Sequence, residues 1–142
     1  MVSVFDVAQY ILSRLGTLPA MKLQKLVYYS QAWSLVWDDK PLYKERIEAW
    51  ANGPVVRELY EEHRGSFEVR KLSKGDATKL NKDQMETVDA VISAYGKKSS
   101  QWLSDLTHAE DPWQEARKGI ADGERGNREI TLASMAEYYA SL

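Results

Sequence analysis

The stretch from Met21 to Trp37, MKLQKLVYYSQAWSLVW, decides how the rest of the chain must be arranged. On a helical wheel at 100° per residue its apolar side chains do not form one stripe. Leu23, Leu26, Trp33 and Trp37 point one way; Met21, Tyr28, Ala32, Leu35 and Val36 point the other. Only Gln24, Gln31 and Ser34 make a thin polar seam. A helix that is apolar nearly all round belongs inside a domain, with other elements packed on most of its circumference. Lys22, Gln24, Lys25 and Gln31 make it too polar for a membrane span. Lys22 falls between Leu26, Tyr29 and Trp33, so its ammonium must snorkel outward or meet a carboxylate.

Working outward, the flanking segments supply what such a helix needs. Val2 to Val7 starts a first helix, with Ser3 as cap, Asp6 reaching back, and Val4, Ala8, Ile11 and Leu15 as its inner face before Gly16. Pro19 opens the central helix. After the Asp38 to Pro41 turn, Leu42 and Tyr43 anchor a loop, and Ile47 to Trp50 reads as a short strand. Asn52-Gly53-Pro54 then places Pro54 in the first turn of a helix running from Val55 to about His63. Phe67 to Leu72 alternates as a second strand, with Phe67, Val69 and Lys71 on one face.

The Ser73 to Lys79 loop carries nothing apolar larger than Ala and is expected to be the most mobile. Asn81 and Gln84 form a capping box for a helix whose inner face is Met85, Val88, Val91, Ile92 and Tyr95. Ser99 or Ser100 caps a shorter helix bearing Trp102, Leu103 and Leu106. Asp111-Pro112-Trp113-Gln114 starts another, with Asp111 as cap. Arg128 to Ile130 is a candidate third edge strand, and Leu132, Met135, Ala136 and Tyr139 form a final amphipathic helix. The expected fold is a single mostly helical α+β domain over residues 1–142. Six or seven helices surround Met21 to Trp37, with a small antiparallel sheet of two or three strands.

Charge and composition narrow the function. Nineteen Lys and Arg against twenty-one Asp and Glu leave a formal charge of −2, so no global positive field attracts phosphate backbones or anionic lipid. The basic run Arg64, Arg70, Lys71, Lys74, Lys79 and Lys82 is interleaved with Glu68, Asp76 and Asp83, as on a solvated face. Its competing use is a phosphate-contacting patch of a small nucleic-acid-binding regulator. Cysteine is absent, which removes disulfides, thiol nucleophiles and thiolate metal sites and agrees with a reducing compartment. With no signal-peptide pattern or lipidation motif, a cytoplasmic protein is expected.

No phosphate-binding loop, dinucleotide turn, nucleophile elbow or zincin motif occurs. The one cluster with catalytic residue types is His108, Glu110 and Asp111, which a hydrolase or transferase would use for proton transfer. Against it, His108 suits the C-terminus of the Trp102 helix as a cation favoured by the dipole, and Asp111 suits the next N-cap. A metal needs three or four protein ligands and no further His or Cys is near, so neither metal nor cofactor is expected. His63 is expected to be exposed in a last helical turn.

Three blocks carry a resemblance. They are Met21-Lys22-Leu23-Gln24-Lys25-Leu26-Val27-Tyr28-Tyr29, then Glu48-Ala49-Trp50-Ala51-Asn52-Gly53-Pro54-Val55-Val56 with Tyr60, then Leu106-Thr107-His108-Ala109-Glu110-Asp111-Pro112-Trp113. In order and spacing these resemble the signature blocks of the Panacea domain, the SocA-like family also found as phage-associated proteins. The loops Ser73 to Lys79 and Ala121 to Gly126 lie outside the likeness. The resemblance implies a non-enzymatic antitoxin of a type II toxin–antitoxin system, binding a cognate toxin encoded by an adjacent gene. For the SocA-like type it also implies delivery of that toxin to a bacterial AAA+ protease. Some members carry an added DNA-binding module, for which 142 residues leave no room.

Contact residues are sought among aromatic and Arg anchors at element ends: Trp50, Asn52, Arg57, Trp113 and Arg117. The competing role for Trp50 and Trp113 is as core plugs beneath the signature loops.

Overall fold

A computed structural model describes all residues, 1–142. Seven α-helices and two small two-stranded antiparallel sheets make an α+β domain, in the order α1 (Val4–Leu15), β1 (Leu18–Pro19), α2 (Ala20–Trp37), β2 (Ile47–Trp50), β3 (Gly53–Val56), α3 (Arg57–His63), β4 (Glu68–Val69), α4 (Lys82–Tyr95), α5 (Ser100–His108), α6 (Asp111–Ala116) and α7 (Leu132–Ala140). A short 3-10 turn, Ala77–Lys79, precedes α4. No helix is long and apolar enough to cross a membrane.

Helix α2 is the axis. Every residue from Leu23 to Ala32 is buried, and α1, α3, α4, α5, α7 and strands of both sheets touch it. Its polar seam is buried too, because each member satisfies backbone of a neighbouring non-helical segment. Gln24 accepts from Val56 N at 2.9 Å and donates to Val56 O at 3.2 Å, completing the outer edge of β3 as a strand would. Gln31 accepts from Leu42 N at 2.6 Å and donates to Tyr43 O at 2.7 Å; Ser34 donates to Lys40 O at 2.8 Å. Buried main-chain groups must find partners, and one helix face supplies them for two segments. Only the end of α2 escapes: Trp37 is 51% exposed and stacks on Trp33.

Three capping signals that act within four residues appear as read. Ser3 and Asp6 close a capping box on α1, Asn81 and Gln84 another on α4, and Ser99 caps α5. Lys22 does snorkel, but onto a carbonyl: its Nζ donates to Gly96 O at 2.7 Å, placing a cation at the C-terminus of α4.

Other expectations need correction. Pro54, Val55 and Val56 are not helical; they form β3, antiparallel to β2 with Trp50 opposite Gly53 and Ala49 opposite Pro54. Pairing with β2 and with Gln24 outweighs the helix-start preference of Pro. The second predicted strand shrinks to Glu68–Val69, paired with Leu18–Pro19, and Phe67 is 81% exposed rather than sharing a face with buried Val69. Arg128 to Ile130 does flank β2: a bridge joins Glu48 to Glu129, and Ala49 N donates to Arg128 O at 2.8 Å. The Ser73 to Lys79 loop is seated on α1. A Cβ at Gly75 would lie 2.3 Å from Phe5 O, and Asp76 N donates to the Asp6 carboxylate at 2.9 Å.

Candidate functional site

Strand β2 ends at Trp50, turns through Ala51 and Asn52, and returns at Gly53. Gly53 has φ +124°, a conformation that other residues avoid. It also has no room for a side chain, because a Cβ there would stand 2.6 Å from Lys25 Cε and 3.0 Å from Thr107 Oγ1. On the other side of the turn, Trp113 Nε1 donates to Trp50 O at 2.8 Å, and Ser104 Oγ donates to Asn52 O at 2.6 Å. Residues far apart in sequence thus close around one hairpin tip.

Three clefts open around that tip. The first, about 680 Å³, is lined by Trp50, Asn52, Arg57, Tyr60, Arg64 and Arg125 together with Glu48 and Glu61. Trp50 sits edge-on to Tyr60 at 4.8 Å and donates through Nε1 to Glu48 at 2.8 Å. The nearly buried Glu48 carboxylate also faces Arg46 at 3.5 Å and Arg57 at 4.0 Å. The second cleft, about 620 Å³, holds Lys25, His63, Ser100 and His108. The third, about 600 Å³, runs from Ala51 past His108 to Trp113 and Arg117.

Compared with protein-family models, residues 23–114 match the antitoxin SocA-like, Panacea domain. The chain belongs to this family. The match covers well over half of the chain and takes in all three blocks from Leu23 onward. No curated protein and no solved structure matches.

In this Panacea domain the blocks converge. Met21 and Lys25 come from the first, Trp50, Asn52, Gly53 and Tyr60 from the second, and Thr107, His108 and Trp113 from the third, while Leu23, Leu26, Tyr28, Pro54, Val55 and Pro112 are buried. The five anchor candidates divide. Trp50, Asn52 and Arg57 share the first cleft, and the Arg57 side chain is 56% exposed. Trp113 is buried and takes the plug role. Arg117 is 4% exposed: its guanidinium donates to Ala49 O, Ala121 O and Glu124 O and lies over the Trp113 ring. Trp113 holds the end of β2, and Arg117 holds both β2 and the Ala121 to Gly126 loop in place.

The three members of the enzyme candidate do not act together. Glu110, not Asp111, takes the N-cap position of α6, and its side chain turns inward instead of capping. It accepts from Tyr29 at 2.7 Å and Tyr139 at 2.8 Å, and Tyr28 in turn meets the Tyr139 hydroxyl at 2.9 Å. Burial raises the Glu110 pKa, and the two tyrosine hydrogen bonds partly offset that. His108 stacks on Trp113 at 4.1 Å. Burial first, then the Lys25 charge, lower its pKa, so it is not the dipole-favoured cation expected. No three His, Asp or Glu are grouped to hold a metal. His63 is 4% exposed, contrary to expectation, with its Nε2 3.0 Å from Gln24 Nε2; burial lowers its pKa as well.

Half of the basic run is matched by acids: Lys74 meets Glu62 at 3.0 Å, Arg64 meets Glu61 at 3.7 Å, and Lys82 meets Glu86 at 3.9 Å. What sequence reasoning missed is Lys25. It is 1% exposed, no carboxylate meets it, and burial brings its pKa down to about 7. Its place on the wheel between Ala32 and Val36 was the available signal.

Proposed function

We propose that this Panacea domain is the antitoxin of a type II toxin–antitoxin pair, neutralising a cognate protein toxin by direct binding over the face centred on the Trp50–Gly53 hairpin tip. The observation that carries this reading is the convergence of all three signature blocks on that tip, where Trp50, Asn52 and Arg57 line an open cleft. Arg and aromatic side chains beside buried backbone clamps are the usual anchors of protein interfaces. Glu48, Glu61, Arg64 and Arg125 add charges of both signs at the rim, which suits orientation of a partner more than raw affinity. The toxin is the product of the adjacent gene, and the pair works in the cytoplasm without a catalytic step or cofactor from this chain.

The test is toxicity rescue. The adjacent gene is expressed alone and with this one, and the complex is purified. Rescue and a stoichiometric complex are expected, with Trp50→Ala/Arg57→Glu folded yet unable to rescue. A harmless neighbour, or full rescue by the double variant, rejects the reading or its placement. Comparing toxin half-life with and without an AAA+ protease separates delivery for degradation from occlusion.

A further inference from the structure

Three buried side-chain polar atoms in this protein have no hydrogen-bond partner: Lys25 Nζ, Ser100 Oγ and His108 Nε2. They come from α2 and from the two ends of α5, yet all three residues line the same cleft of about 620 Å³. Orphaned buried polar groups are rare and costly, so three around one cavity call for a partner. Three neighbouring polar groups are committed elsewhere: His63 to Gln24, Ser104 to Asn52 O, and Thr107 to Ser104 O. The cleft contains no carboxylate, so the Lys25 amine has no counter-ion from its own chain.

We propose that this cleft is a binding site for a small organic anion bearing a carboxylate or phosphate group, whose oxygens partner Lys25 Nζ, Ser100 Oγ and His108 Nε2. An ammonium and a hydroxyl are donors, and the imidazole nitrogen serves as donor when protonated or as acceptor for an acidic P–OH or COOH. The volume lies within the range of small-molecule sites and far exceeds one Asp or Glu side chain. An arriving anion supplies the missing counter-charge, so Lys25 binds it in the ammonium form. Gly53 stands directly against Lys25: its absent Cβ leaves the space that Lys25 Cε occupies. The anion site does not rest on the toxin-binding reading.

The experiment follows lysine ¹³Cε and backbone amide NMR signals of the full chain during titration with inorganic phosphate and, separately, acetate. Saturable shifts of Lys25 and Gly53 are expected. They should be lost in Lys25→Met and weakened about 10-fold or more in Ser100→Ala/His108→Phe, as for loss of charge-assisted hydrogen bonds. Lys22→Met, whose ammonium already has Gly96 O, should leave the titration unchanged. If neither probe shifts Lys25 in the free protein, but bound toxin does and Lys25→Met weakens that complex, the anion is a carboxylate of the partner and the small-molecule site is overturned. Silence in both arms overturns any anion site. A protein that binds phosphate but fails toxicity rescue would sink only the antitoxin reading.

Discussion

Lys25 Cε fills the space that a Cβ on Gly53 would need, 2.6 Å away. A buried lysine of the central helix thus requires a glycine in the hairpin, although 28 positions separate them. Lys25 is 1% exposed, so relieving the conflict requires its ammonium end to shift into the neighbouring cleft. Gly53→Ala therefore combines a strained φ with a steric conflict, and is expected to cost about 2 to 4 kcal/mol in urea unfolding. Gly119→Ala, with positive φ but open space around it, should cost only about 1 to 2 kcal/mol. Equal losses at the two sites would refute the coupling.

Lys25 also sets a pH dependence. Its folded pKa of about 7 lies below the unfolded value near 10.4, so the unfolded chain binds the extra proton between those limits. The penalty of burying it is absent above about pH 10, accumulates as pH falls toward 7, and is constant below. Lys25→Met should stabilise the protein by roughly 2 to 4 kcal/mol at pH 7, and by less than half of that at pH 9.5. The buried tyrosines Tyr28, Tyr29 and Tyr139 have raised pKa values and destabilise the fold above pH 10. They are common to both proteins, so the difference isolates Lys25. A difference independent of pH between 7 and 9.5 would count against a depressed amine.

Glu110 should behave as a structural acceptor. Glu110→Ala leaves the Tyr29 hydroxyl without an acceptor in the core and the Tyr139 hydroxyl with Tyr28 alone, for a loss of about 2 to 4 kcal/mol. Glu110→Gln keeps an oxygen there and should lose less than half as much. Thermal unfolding of the two variants decides this, and toxicity rescue should follow stability. A stable Glu110→Gln protein without biological activity would instead revive a chemical role for the carboxyl group.

Along α2, position should matter more than residue type. Leu26, fully buried, should cost roughly 2 to 5 kcal/mol on truncation to Ala. Trp37, half exposed at the end, should cost about 1 kcal/mol or less in Trp37→Ala. Denaturant titrations that reversed this order would displace α2 from the centre of the fold.

Much of this architecture was legible because its causes are local or periodic. The capping boxes of Ser3 with Asp6 and Asn81 with Gln84 act over three residues, and the all-round apolar pattern of Met21 to Trp37 needs no partner to be read. Pro54 misled because its helix-start preference is weaker than a ladder completed by Gln24 and by β2. Asp111 misled as a cap because α6 begins one residue earlier in register, with Glu110 at the N-cap position and its carboxylate taken by two tyrosines from α2 and α7.

The sequence by itself determined that one apolar helix lies at the centre, that short capped helices surround it, and that the family blocks are those of a Panacea domain. Tertiary structure alone decided which polar residues those blocks leave without partners. Lys25, Ser100 and His108 are unremarkable where they stand in the chain. Their significance arises from being enclosed together, since desolvation depends on every element that packs around a group and not on its neighbours in sequence.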